Sequence, residues 1–211
     1  MMEHEFWHNK WKANEIGFHK DETNAFLKDN LQSLAIKSGA TLFVPLCGKT
    51  LDIAYLLSLG HKVVAAELNE SAVIQLFENM KVNPDVSDVG NLKQYQAQNL
   101  SVFVGDVFEL TEGLVGPVDA IYDRAALVAL PDTMRRRYAQ HLLAITQKAP
   151  QLLVTIEYDQ VHYDGPPFAI SQDMVRELYA ESYTCEMLQH QPMPDGLKGK
   201  CEAWEAVWHL K

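Results

Sequence analysis

The sequence predicts an α/β domain on a doubly wound, mostly parallel sheet of seven strands that closes with an antiparallel hairpin. Two patterns predict it. From residue 41 onward short apolar runs alternate with helical segments, which implies parallel strands joined by crossover helices. The last stretch instead holds two alternating segments with no helix between them, which implies a hairpin at the sheet edge. A length of 211 residues and a hydrophobic share of 47% suit one domain, residues 1–211, with a full core.

The first elements are the least regular. The opening twenty residues carry Phe6, Trp7, Trp11 and Phe18 with no clean period. Phe26, Leu27, Leu31, Leu34 and Ala35 then share one helical face that stops at Gly39. Residues 1–38 therefore form an N-terminal helical extension. Its aromatic residues suit either core packing or a lid folded over a ligand, because aromatic faces attract cations.

The alternating part follows in order. Residues 41–44 are the first strand and 51–59 a helix closed by Gly60. Residues 62–68 are the second strand, with Val63-Val64-Ala65-Ala66 as its buried run, and Asn69 suits the cap of a helix over 71–80. Residues 100–104 are the third strand, with a candidate hairpin partner at 93–97. The fourth strand, 118–122, leads into a long helix over 131–149 with Pro131 in its first turn. A fifth strand at 152–158, a helix at 172–181 and hairpin strands near 184–190 and 203–210 complete the chain.

Charge and cysteine usage narrow the partners. The formal charge of −10 and a pI near 5.2 set the surface against phosphate backbones and anionic lipid. The one basic cluster, Arg135-Arg136-Arg137, lies on a helix where adjacent side chains point in different directions. Neither nucleic acid nor membrane is expected as a partner. Cys47, Cys185 and Cys201 form no disulfide framework and no CxxC site, which suits a reducing compartment. The start, Met1-Met2-Glu3-His4-Glu5, lacks the basic and apolar regions of a signal peptide, and no apolar run approaches the ~20 residues of a membrane span. A cytoplasmic protein is expected.

Ligands of such sheets bind beyond the carboxyl ends of the strands, so the chemistry is sought in those loops. Val44-Pro45-Leu46-Cys47-Gly48-Lys49-Thr50 leaves the first strand and enters a helix, where Gly48 permits close backbone approach. Gly48-Lys49-Thr50 resembles the end of a P-loop, but Phe43 stands where the motif needs glycine, and GxGxxG is absent. Glu67 lies at the end of the second strand, 19 residues after Gly48, a spacing at which a carboxylate accepts both ribose hydroxyls of an adenosine. A solvent-facing role is the alternative. Asp106, beyond the third strand, suits an adenine edge. Asp123 and Arg124 place charge in an apolar run, either as an ion pair at a helix terminus or as part of a site. His4-Glu5-Phe6-Trp7-His8 matches the zinc pattern HExxH, which needs a closed pocket and a third ligand downstream, but it lies at a terminus, and no metal is expected. Asp164-Gly165-Pro166-Pro167-Phe168 is nearly the DPPF-type loop of amino-methyltransferases, yet it follows the fifth strand and not the fourth. It reads better as a rigid loop beside the site.

The chain resembles the thiopurine S-methyltransferase family, particularly its bacterial branch, along nearly its whole length. The resemblance rests on Phe6-Trp7-His8-Asn9-Lys10-Trp11 with Gly17-Phe18-His19, on Val44-Pro45-Leu46-Cys47-Gly48-Lys49, and on Gly60-His61. It continues in Tyr122-Asp123-Arg124-Ala125-Ala126-Leu127 and in Tyr158-Asp159 with Gly165-Pro166-Pro167-Phe168. It implies the S-adenosylmethionine-dependent methyltransferase fold, a monomer, a small-molecule acceptor and no metal. Position by position it implies cofactor contacts at Trp11, Leu46, Glu67 and Arg124, with Asp106 and Val107 near the adenine and Phe18 near the acceptor. Residues 191–201 depart from the family, being short and carrying only Lys198 and Lys200 where relatives have an arginine-bearing loop. The acceptor therefore stays open among thiopurines, other thiols, and selenium or tellurium species. Two rivals stay open as well: a nicotinamide-dependent oxidoreductase, which would also use Glu67, and a binding protein that keeps the fold without turnover.

Overall fold

A run of side chains apolar on both faces can only be satisfied inside a sheet covered on both sides, and the central strands here are of that kind. The computed structural model describes residues 4–211; the first three residues, read above for a leader, lie outside the described residues. Strands β1 (Thr41–Val44), β2 (Lys62–Glu67), β5 (Leu100–Val104), β6 (Ala120–Arg124) and β7 (Gln151–Tyr158) pair in parallel in the order β5-β2-β1-β6-β7. Antiparallel strands flank them. β9 (Ala203–Leu210) pairs with β7 and β8 (Cys185–Pro192) with β9 at one edge, while β4 (Leu92–Ala97) and β3 (Asp85–Val89) extend the other.

Among the described residues the sheet thus has nine strands and not the seven expected. The hairpin partner at 93–97 exists as β4, and β3 was missed because nearly all of its residues are exposed and give no burial period. Its signal was the two-residue loop Gly90-Asn91, with Gly90 at φ +62°, between paired Val89 and Leu92.

Strand alternation splits the core into two layers. Leu42, Val44, Val63, Ala65, Tyr122, Leu152 and Val154 face one layer with α2 (Ala25–Asn30), α3 (Leu51–Ser58) and α4 (Glu70–Met80). Phe43, Ala66, Ile121 and Leu153 face the other with α5 (Glu112–Val115), α6 (Asp132–Ile145) and α7 (Gln172–Tyr179). Side-chain caps set the helix starts: Thr50 accepts from the Asp52 N–H, Asn69 from Ser71 and Ser171 from Met174. The aperiodic N-terminus also forms a helix, α1 (His4–Lys12), which buries only Trp11 and so shows no stripe. The predicted helix after it ends early, passing from α2 into a 3-10 turn (Leu31–Leu34) that stops at Ala35 with φ +48°. The chain leaves β1 toward β2 on one side and returns to β6 on the other, so the topological switch point lies between β1 and β6.

The fourth strand sits two residues further along than expected, which puts Asp123 and Arg124 on β6 itself. They do not pair with each other. The fully buried Asp123 accepts from the Leu127 N–H at 3.1 Å and the Tyr138 hydroxyl at 2.8 Å, bracing β6 against α6. Burial pushes its carboxyl up to about 6, the N–H and O–H donors opposing the shift. A folded pKa above the unfolded value of about 3.9 means that the native state holds the proton more tightly, so this group's contribution to stability is present below pH ~4 and is lost as pH rises through ~6. Asp123→Asn keeps an acceptor for Leu127 and removes the titration. The stability of the wild type minus that of the variant is expected to fall by on the order of 3 kcal/mol between pH 4 and 7, as read from denaturant unfolding. Parallel stability curves would contradict the assignment.

Candidate active site

The loop leaving β1 is held in a conformation its side chains disfavour. Leu46 has φ +45° and Gly48 φ +54°, and the left-handed region costs a bulky residue about 1–2 kcal/mol. Neighbouring bonds hold it there. The Cys47 N–H donates to the Ala66 carbonyl at 2.8 Å, and the Gly48 N–H to Glu67 Oε2 at 2.7 Å. The other oxygen of Glu67 accepts from the Asn69 N–H at 2.8 Å, so one buried carboxylate ties the ends of β1 and β2 together. Burial raises its pKa, and the bonds from Asn69, Gly48 and Leu68 oppose that. Each carboxylate oxygen keeps a second lone pair for a ligand hydroxyl. Cys47 beside it is buried and its thiol is pushed well up by burial and by Glu67, which makes it an inert packing group.

The segment from α1 to α2 closes over this loop. Trp11 packs edge-to-face on Phe18 at 5.6 Å, Trp7 on Phe18 at 5.9 Å and Phe6 on Trp7 at 5.3 Å. A Cβ at Gly48 would come within 3.2 Å of Trp11 Cζ2, so the glycine lets the indole lie on the loop. Arg124 reaches from the end of β6 and donates from Nη1 to the Phe18 carbonyl at 2.7 Å. The Asn24 N–H donates to Asp52 Oδ1 at 2.7 Å, and the Tyr122 hydroxyl to Asp52 Oδ2 at 3.0 Å.

Trp11, Phe18, Leu46, Glu67 and Arg124 line one cavity of about 1060 Å³ at the switch point. Asp106 and Val107 lie outside it, beyond the end of β5. Asp106 accepts from the Phe108 N–H at 3.0 Å and stands 3.4 Å from His4, while Val107 is buried with its carbonyl 2.8 Å from His141 Nε2. The HExxH stretch does form α1, but its histidines diverge in partner: His4 faces Asp106, and His8 Nδ1 sits 3.1 Å from Asn69 Nδ2.

The far wall is the proline loop. The Tyr158 hydroxyl donates to the Pro167 carbonyl at 2.7 Å, and the Tyr163 hydroxyl to Pro166 at 2.8 Å. Lys198, from the short segment 191–201, reaches the Tyr163 hydroxyl at 2.5 Å and lies 4.6 Å from its ring centroid. Sequence reasoning missed Asp52, Tyr122, Tyr163 and Glu205 as cavity residues. A signal existed for Glu205, a carboxylate within the apolar run Ala203-Trp204-Glu205-Ala206-Val207-Trp208.

The donor set suits an adenosyl sulfonium: a carboxylate with spare lone pairs, an open glycine loop, aromatic faces and a guanidinium in one cavity. Comparison with known proteins agrees. Residues 2–207 match the family described as Thiopurine S-methyltransferase. Relatives of that name from Xanthobacter autotrophicus and Teredinibacter turnerae are 50% and 47% identical, covering 100% and 99% of this chain and 99% and 97% of their own. A solved Burkholderia thailandensis 1,6-didemethyltoxoflavin-N1-methyltransferase, with S-adenosylhomocysteine bound, superposes with a TM-score of 0.65 at 16% identity, over 99% of this chain and 87% of that one. At that identity it attests the fold. With a family match over nearly its full length, this chain belongs to the thiopurine S-methyltransferase family.

Proposed function

We propose that this chain transfers the methyl group of S-adenosylmethionine to the sulfur of a thiopurine, or to a similarly soft thiol, selenium or tellurium centre. The observation that carries the reading is the family match over residues 2–207, joined to one cavity that gathers Gly48, Glu67 and Arg124 beneath aromatic rings. When bound, the sulfonium supplies an activated methyl carbon open to in-line attack. Glu67 offers its spare lone pairs to the ribose hydroxyls, and Leu46 and Gly48 expose backbone to the cofactor. Trp11 closes over it. Asp106 and Val107, past the end of β5 and outside the cavity lining, are the neighbours expected for the adenine edge. Arg124 favours an anionic sulfur by charge, and Phe18 lines the acceptor side. The protein's contribution is alignment of the two groups and exclusion of water.

The same reading makes residues 1–38 a lid over the cavity and the protein a cytoplasmic monomer acting on free small molecules. The formal charge of −10 supports this, disfavouring nucleic acid and anionic lipid. No helix among the described residues is long and apolar enough to cross a membrane.

A labelled-methyl transfer screen over thiopurine, thiol, selenol and tellurite acceptors tests the activity. Transfer to at least one soft acceptor is expected, and binding of S-adenosylhomocysteine tighter than NADH; the reverse order of binding would reject the reading. Glu67→Ala should weaken S-adenosylhomocysteine about 10- to 100-fold in calorimetric titration, since it removes charge-assisted bonds and leaves two backbone N–H groups unpaired. Arg124→Ala should lower turnover on a thiopurine by roughly 10²-fold, and unchanged turnover would remove Arg124 from the mechanism.

A further inference from the structure

Among the described residues seven acidic side chains line the cavity, and they divide by what already occupies them. Glu67 is bound to two backbone N–H groups, and Asp52 to the Asn24 N–H and the Tyr122 hydroxyl. Glu15, Asp21, Glu22 and Asp195 are exposed to solvent. Glu205 alone is half-buried with neither a hydrogen bond nor an ion-pair partner within 4.0 Å among the described residues.

Its position is set by β9. Glu205 pairs with Ile156 of β7 and Gln191 of β8, which puts it at the carboxyl ends of the parallel strands. Across the order β2-β1-β6-β7-β9, Glu67 and Glu205 lie four strand steps apart, about 19 Å at ordinary spacing, with Arg124 between them. The Glu67 half of the cavity is the cofactor's in the proposed function, and the Glu205 half is left to the acceptor. The proline loop with Tyr163 and Lys198 walls that half, and Lys20 enters from the segment before α2.

Resting on that functional reading, we propose that Glu205 is the catalytic residue that takes the acceptor's proton, so that the site prefers acceptors bearing an N–H or S–H at the attacking thione or thiol. The step balances. The acceptor's N–H or S–H bond breaks, the proton passes to the Glu205 carboxylate, and the electron pair it leaves resides on sulfur. Sulfur then bonds to the methyl carbon as the carbon–sulfonium bond breaks, that pair staying on the sulfur of S-adenosylhomocysteine. The proton leaves to solvent when product departs. Burial raises the pKa of Glu205 while Arg124 and Lys20 pull it down, and the net upward shift moves it toward the range where a general base works best.

Glu205→Gln tests the assignment with 6-mercaptopurine as acceptor. At pH 7 its kcat/KM should fall about 10²-fold while affinity for S-adenosylhomocysteine is unchanged. The loss should shrink as pH rises past the acceptor's own ionisation, because solvent then removes the proton. A uniform loss at every pH, or none, overturns the proposal. Glu205→Asp should keep the acid limb of the wild-type pH profile at reduced rate. Should the Gln variant fail to fold, a wild-type profile that follows only the acceptor's ionisation overturns the assignment. Absence of transfer by the wild type overturns the functional reading, whereas wild-type transfer with an unaffected Gln variant overturns this assignment alone.

Discussion

A carboxylate buried between two strand ends is costly, since several kcal/mol are lost when an ion leaves water. Glu67 offsets part of that cost through short bonds from the Gly48 and Asn69 N–H groups, while burial still holds its pKa above the ordinary carboxylate range. The arrangement decides the shape of everything around it. Gly48 is pinned next to β2, Leu46 is forced into the left-handed region, and the loop presents its backbone to the cavity. Asn69, held by the same carboxylate, is also the cap of α4. One side chain thus sets the exit of β1, the exit of β2 and the start of a helix.

The N-terminal segment depends on that frame from above. Glycine at the pinned position, at φ +54°, spares Trp11 a Cβ at 3.2 Å. Among the polar ties that fasten the segment are Arg124 of β6 to the Phe18 carbonyl and the Asn24 N–H to Asp52 of α3. Both use cavity residues, so an anionic group that draws Arg124 toward itself competes with the tie to Phe18.

Legibility in the sequence followed burial. The central strands were readable because Val63 to Ala66 and Ile121 to Tyr122 must be covered on both faces, and the terminal hairpin because Ala203 to Leu210 lacks a helical partner. β3 was not readable, since a strand nearly exposed along its length carries no period. Within the expected N-terminal helical extension, α1 gave no period of its own for a similar reason: one buried Trp11 makes no stripe. In the site, the 19-residue spacing of Gly48 and Glu67 suggested a shared ligand, and the structure adds that the two are bonded directly. Asp123 and Arg124 looked alike as adjacent charges in an apolar run. Alternation along β6 sends one into the core toward Tyr138 and the other to the cavity, a distinction that depends on a strand boundary two residues from where the pattern placed it.

Two acidic groups of this sheet differ in their surroundings. Asp123 titrates near 6 because its layer is dry, and its proton serves only the fold. Glu205, on the far side of Arg124, is partly wet and has no assigned donor. A sheet whose strand order reverses beside β1 opens a cleft there, and antiparallel β9 extends the sheet past β7. A plain parallel ending would bring a crossover helix against that edge. The hairpin instead places Glu205 on the cavity wall, so that the lining runs from Glu67 at the end of β2 to Ile156 and Glu205 on β7 and β9, a span that the proposed function divides between cofactor and acceptor.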